Sequence, residues 1–78
     1  MLTLDWSWGP DGLLPGMELD SLGQSVPYVR AFASTWYWED PDGREYGNVC
    51  WGRTQGEADE KALASARAFT ARYRRGVV

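Results

Sequence analysis

The sequence predicts an α+β fold, an antiparallel sheet of about three strands that is covered on one face by a C-terminal helix. Three observations support this: alternating apolar positions, a hairpin signal at residues 40–43, and a capped, periodic segment from residue 55 onward. At 78 residues the chain has room for one domain with a modest core. Its hydrophobic content of 44%, with 14% aromatic residues, is too high for a disordered chain.

The N-terminal part is predicted to hold one short strand and a loop. Residues 2–8, LTLDWSW, alternate apolar and polar side chains, which is the period of a half-buried strand. The turn residues GPDG then end this strand. Residues 13–25 combine Pro15, Gly16 and Gly23 with no sustained period, so they are predicted to form a loop with some turns.

A hairpin is the next predicted element. β-Branched and aromatic residues over 26–39 favour a long strand. In the DPDG sequence at 40–43, the proline presets φ for a type I turn, and Gly43 can adopt the left-handed conformation of a bulge. The partner strand is therefore predicted over residues 44–51.

A helix is predicted over residues 55–75 from its caps and its period. Thr54 followed by Glu57 is a capping box, and arginines crowd the far end, where the helix dipole favours positive charge. Small and aromatic residues recur at helical spacing along one side, namely Ala58, Ala62, Ala66, Phe69 and Tyr73. Such a stripe permits close packing on a sheet.

Strand alternation divides the hairpin side chains into two sets, with Trp38 opposite Tyr46 and Trp36 opposite Asn48. The smaller and more apolar set is expected to lie under the helix: Val29, Ala31, Ala33, Thr35, Tyr37, Val49 and Trp51. The other set is expected to contact a protein partner, and the acids of the turn would be its charged rim. The expected partner-binding residues are Tyr28, Arg30, Phe32, Trp36, Trp38, Tyr46 and Asn48, with Glu39, Asp40 and Asp42.

Two other arrangements of these rings remain open. Apolar residues of the N-terminal part could fold over them and make a second small core, because a register assignment flips with one residue of slip. Those residues are Trp6, Trp8, Leu13, Leu14, Met17 and Leu19. A homodimer could also bury the same face.

The residue types argue against an enzyme. The chain has no histidine and the single cysteine Cys50, so common zinc sites and Ser-His or Cys-His nucleophile pairs are not expected, and neither is a cofactor. The acids at 39–42 are interpreted as a solvated turn. One cysteine, no signal-like start and no apolar run long enough to cross a membrane together favour a cytoplasmic location.

The net charge of −3 conceals an asymmetry. Residues 1–42 carry seven acids against Arg30, a net of −6, whereas residues 43–78 carry seven bases against four acids, a net of +3. This layout either steers two different partners or neutralises itself across the fold.

Residues 28–73, a hairpin followed by a capped helix with GRTQGEADEKALASARAF, resemble the arm-binding domains of tyrosine recombinases and the plant ethylene-response DNA-binding domains. The resemblance implies that the sheet face away from the helix enters the DNA major groove. The candidate nucleic-acid contacts would be Arg30, Arg67, Arg72, Arg74 and Arg75. Only Arg30 would lie on that face, beside several acids, so the face has too little positive charge to neutralise DNA phosphates. Direct nucleic-acid binding is therefore the second hypothesis.

A small, acidic, cysteine-poor domain with many aromatic rings also resembles in kind the inhibitors that phages and mobile elements make, anti-CRISPR proteins above all. That resemblance implies a non-enzymatic protein that occupies a bacterial protein complex, such as a CRISPR effector, and blocks its handling of nucleic acid. This is the leading hypothesis, and a structural dimerisation module is the third.

Overall fold

The computed structural model describes residues 6–7, 13–22 and 31–77. The elements are β1 (Trp6–Ser7), β2 (Glu18–Leu22), β3 (Phe32–Glu39), β4 (Glu45–Gly52) and α1 (Gln55–Arg74). The strands form one antiparallel sheet in the order β1-β2-β3-β4, and α1 packs across β2, β3 and β4. The α+β prediction is confirmed: three longer strands form the sheet under the helix, and β1 adds a two-residue edge.

The second strand is a correction to the predicted loop. Leu14 to Met17 form a turn in which Gly16 has a φ of 83° and the Met17 N–H donates to the Leu14 carbonyl at 3.1 Å. A proline followed by a glycine with positive φ is typical of a type II turn. Strand β2 follows at once, with Leu19 and Ser21 buried. Its alternation covers only five residues between glycine-containing segments, so the sequence period was too short to reveal it.

The hairpin register is confirmed. Trp38 lies opposite Tyr46 and Trp36 opposite Asn48. At the turn, Gly43 has a φ of 84° and donates its N–H to the Asp40 carbonyl at 3.0 Å, as a bulged turn requires. The start of the predicted strand, residues 26–30, lies outside the described residues.

The helix is also confirmed, with bounds within a residue of those predicted. The Thr54 hydroxyl accepts from the Glu57 N–H at 3.1 Å, which satisfies one of the backbone donors at the first turn. The Glu57 carboxylate pairs with Lys61 at 3.3 Å, one turn along. The predicted stripe is the packing face, since Ala58, Ala62, Ala66 and Phe69 are all buried.

The prediction of which sheet face lies under the helix is wrong. Trp36 and Trp38 are each 5% exposed and belong to the same core as Phe69. The ring centroids of Trp36 and Phe69 are 4.9 Å apart, and those of Trp38 and Tyr73 are 4.7 Å apart. The physical reason is complementarity of volume, since the alanine side of the helix leaves space that large rings fill better than valine or alanine.

Both indole N–H groups find partners inside this core. Trp36 Nε1 donates to the Ser65 hydroxyl and Trp38 Nε1 donates to the Pro15 carbonyl, each at 2.9 Å. Apolar residues before and within β2 close the core on the side away from β4, namely Leu13, Leu14, Met17 and Leu19. The alternative in which these four residues cover the tryptophans is therefore confirmed, but they do not form a second core, because they share a single core with the helix. Trp8 and the side chain of Trp6 lie outside what the structure describes.

We expect Trp38→Ala to lower the free energy of unfolding by about 3 to 5 kcal/mol, because it removes a buried ring and leaves a cavity. In so small a domain this loss is a large fraction of the total stability. Trp51→Ala is the matched control, since that ring is 50% exposed on the other face, and it should cost less than about 1 kcal/mol. Urea denaturation followed by circular dichroism measures both. Equal destabilisation by the two changes would contradict the observed facing of the sheet.

Candidate functional site

The sheet face turned away from α1 carries the exposed large side chains of the strands. Tyr37, Val49 and Trp51 are 43%, 47% and 50% exposed. We call this surface the open face and define it by these three residues, the half-buried Thr35, and the exposed acids Glu18, Glu39 and Glu45. Alternation explains it, because each residue that follows an inward tryptophan on β3 must point outward.

The apolar part of the open face is built mainly by β4. Val49 and Trp51 are two residues apart on this strand and therefore lie side by side, about 7 Å apart. The register places Val49 opposite Thr35 and Trp51 opposite Ala33, so a strip of apolar and small side chains crosses two strands. Exposed aromatic and aliphatic side chains held on a rigid sheet can dock against a partner with little loss of conformational entropy.

The other end of the open face is acidic. Glu18 lies opposite Tyr37 in the β2–β3 register, and Glu39 lies opposite Glu45 in the β3–β4 register. Like charges directly opposite each other destabilise a sheet. No lysine or arginine occupies any position of β2, β3 or β4. The strand positions at this end of the sheet therefore carry acids only, and the adjacent base in the sequence, Arg44, lies in the turn before β4.

Tyr37 reports the negative charge of these acids. Partial burial raises the pKa of Tyr37, and the negative charges of Glu45, Glu39 and Glu18 raise it further. The ring thus places an apolar body and a polar tip among three carboxylates. Such an amphipathic side chain is suited to the boundary between the hydrophobic centre and the charged edge of an interface.

The sequence-predicted partner residues are distributed over several environments. Trp36 and Trp38 lie in the core, and Phe32 and Tyr46 are half-buried. Asn48 is exposed beside the helix, and Glu39 and Asp42 are exposed at the hairpin end. Tyr28 and Arg30 lie outside the described residues. The structure therefore does not bring the predicted set together on one surface.

Asp40 has a structural place in the hairpin. Its side chain is buried, and its Oδ1 accepts from the backbone N–H groups of Asp42 at 2.9 Å and Arg44 at 2.8 Å. Its Oδ2 accepts from the Tyr46 hydroxyl at 3.4 Å. These contacts satisfy donors that the bulged turn leaves free, so Asp40 stabilises the turn and does not present its carboxylate to a partner.

The prediction that the rings of the open face lie under the helix is wrong, although the sequence contains a signal against it. Glu39 and Glu45 share their alternation with Tyr37, Val49 and Trp51. Charged side chains rarely lie in a core without partners. The positions of these two glutamates in the strand alternation therefore identify the face that is exposed to solvent. The sizes of the apolar residues alone do not identify it.

A groove with a volume of about 360 Å³ runs between β4 and α1. Its lining includes Trp36, Asn48, Ser65, Phe69 and Arg72. The Ser65 hydroxyl accepts from Trp36 Nε1 at 2.9 Å and from Asn48 Nδ2 at 3.4 Å. The groove is therefore an apolar floor with polar walls, on a different side of the molecule from the open face.

The helix carries most of the basic residues that the DNA-binding hypothesis used. Arg67, Arg72, Arg74 and Arg75 are all exposed, and Arg72 and Arg74 lie in the last turn of the helix, where they complement the helix dipole. None of them lies on the open face, which is the surface that the recombinase-like layout would place in the major groove. The acids there would repel phosphates.

Within residues 6–7, 13–22 and 31–77, no group of three or more metal-binding side chains comes together, and no helix is long and apolar enough to cross a membrane. No protein-family model, curated protein or solved structure matches the chain.

We expect Asp40→Ala to lower the free energy of unfolding by about 1 to 3 kcal/mol, because two backbone donors lose their acceptor. Asp42→Ala removes a neighbouring exposed carboxylate and should change stability by no more than about 0.5 kcal/mol. Thermal melts of the two variants measure the difference. If they melt at the same temperature, Asp40 is not the residue that holds the turn.

The ionisation of Tyr37 tests whether the three glutamates at the acidic end of the open face act on this side chain. Since its pKa is raised above the usual 10.0, the folded protein keeps the neutral phenol to higher pH than the unfolded chain and loses stability as the pH rises through the folded pKa. Glu45→Gln removes the charge that raises this pKa most and should bring the pKa back toward 10.0. The pKa is read from the ring signals of Tyr37 in an NMR titration. Glu60→Gln, on the exposed side of α1, is the control, and an equal fall there would refute the assignment.

Proposed function

We propose that the chain is a non-enzymatic inhibitor that binds through its open face to a basic protein surface of a bacterial complex that handles nucleic acid. In its most concrete form this is an anti-CRISPR-type activity in the bacterial cytoplasm. The observation that carries the proposal is the combination of exposed Tyr37, Val49 and Trp51 with an acidic end that no base on the strands neutralises.

The apolar strip supplies the anchor for such an interface. Trp and Tyr concentrate binding free energy in a few central positions, and Trp51 has half of its surface available to a partner. Val49 beside it extends the apolar contact. These residues contribute little to the core, so the fold does not depend on their side chains. A partner that covers them gains the hydrophobic free energy of their burial.

The acids supply the specificity. Glu18, Glu39 and Glu45 lie close enough together around Tyr37 to act on the ionisation of one phenol. A partner surface rich in lysine and arginine would relieve the repulsion between the opposed Glu39 and Glu45. Surfaces of that charge in bacterial complexes commonly serve nucleic acid, and carboxylates compete there with phosphates for the same donors.

The experiment uses a panel of purified CRISPR effector complexes and measures DNA cleavage while the chain is titrated. We expect inhibition of at least one complex. Trp51→Ala and Glu39→Lys should each raise the half-inhibitory concentration by about tenfold or more, as expected when an anchor or a charge pair worth about 1.4 kcal/mol is lost. Arg67→Ala, an exposed change on the helix, should leave it unchanged.

Two results would contradict the proposed binding through the open face. Binding to random duplex DNA near physiological salt, falling steeply as salt rises, would favour the DNA-binding alternative. Inhibition that survives both open-face variants would show that another surface makes the contact. A dimerisation module is the less favoured third reading, because two copies that met through this face would bring their acids together.

A further inference from the structure

Strand β4 is an edge of the sheet, since β3 is its only neighbour among the described strands. The hydrogen-bonding direction of its backbone follows from the turn. The Asp40 N–H donates to the Arg44 carbonyl at 2.9 Å, so these two residues form a hydrogen-bonded pair. Such pairs alternate along antiparallel strands, so the backbone N–H and C=O groups of Tyr46, Asn48 and Cys50 point toward β3. The backbone groups of the odd-numbered residues of β4 point away from the sheet.

Side chains cap only one half of this edge. The outward N–H of Val49 donates to Asn48 Oδ1 at 2.9 Å, and the outward carbonyl of Trp51 accepts from Lys61 Nζ at 3.0 Å. In the first half of the strand, the outward N–H and C=O groups of Glu45 and Gly47 meet no partner in the part of the chain that the structure describes. A bare row of such groups is a template for another strand.

The bare half coincides with the groove between β4 and α1, whose lining includes both Glu45 and Gly47. Gly47 has no side chain to shield the edge, and a Cβ there would lie 2.9 Å from the Trp36 carbonyl, so no larger residue fits without a shift. A strand laid along this edge would direct alternate side chains toward the groove floor formed by Trp36 and Phe69.

The polar groups of the groove select for a negative ligand. Arg72 lines it and forms no ion pair with any described residue. The Ser65 hydroxyl already accepts two hydrogen bonds, so its own proton remains to be donated. Glu45 also lines the groove, but strand alternation places its side chain on the open face with those of Glu39 and Tyr37. Guanidinium and hydroxyl donors together favour a carboxylate.

We propose that the bare half of the β4 edge binds an extended peptide segment by strand addition, with an acidic side chain of the segment held by Arg72 in the groove. Of the residues that define the open face, this site shares Glu45, through its backbone, and it selects a ligand of the opposite charge, so it does not rest on the proposed function. A segment of a partner protein would gain main-chain hydrogen bonds from Glu45 and Gly47 and specificity from the groove.

The test selects binders to the full-length chain from a displayed library of random linear peptides. We expect the selected peptides to be rich in β-branched residues and to carry a recurring Asp or Glu. Arg72→Ala should weaken a selected peptide by about tenfold or more, as the loss of a charge-assisted hydrogen bond predicts. Arg67→Ala is the matched control, an exposed arginine of the same helix that does not line the groove, and should have no effect.

Strand addition has its own signature in the peptide. Only every second amide of an added strand faces the sheet edge, so N-methylation along a selected peptide should abolish binding at alternate positions. Trp51→Ala should leave the affinity unchanged, which separates this site from the open face. Four results would each overturn the proposal. The selection could enrich no acidic peptide, or binding could depend on Trp51. N-methylation could show no alternating effect along the peptide, or the chain could form a β4-paired dimer that no peptide competes with.

Discussion

The contact between the two inward tryptophans of β3 and the alanine side of α1 governs the structure. Trp36 and Trp38 fill the space that Ala62 and Ala66 leave, and Phe69 closes the end of that space. Large rings against small residues allow the helix to lie close to the sheet while burying much apolar area. Every other feature of the molecule is placed relative to this contact.

The open face is a direct consequence of that contact. Because strand side chains alternate, burying residues 36 and 38 forces Tyr37 outward, and the hairpin register then places Val49 and Trp51 outward beside it. The turn sets the phase of this alternation, and Asp40 holds the turn with its buried carboxylate. A one-residue change in the turn would exchange the two faces, so the core and the candidate surface are determined together.

The packing also separates the charges. Acids collect at the hairpin end of the sheet, and arginines collect at the C-terminal end of the helix, where Arg72 borders the groove. In the two proposals, the acidic open face meets a basic partner surface, and the groove beside β4 meets an acidic strand. The asymmetry between the two halves of the sequence thus becomes an asymmetry between two sides of the fold.

The sequence by itself determined the elements whose signals are local. The hairpin turn, its register and the capped helix were predictable because DPDG, strand alternation and the Thr54 cap act over a few residues. Strand alternation defines two sets of side chains but does not say which set is inside. Only the tertiary structure decided this, because the choice depends on distant partners: Ser65 and Pro15 receive the two indole N–H groups, and Leu13 to Leu19 close the core. Complementary volumes and hydrogen-bond partners brought together from far along the chain leave no local pattern in a sequence.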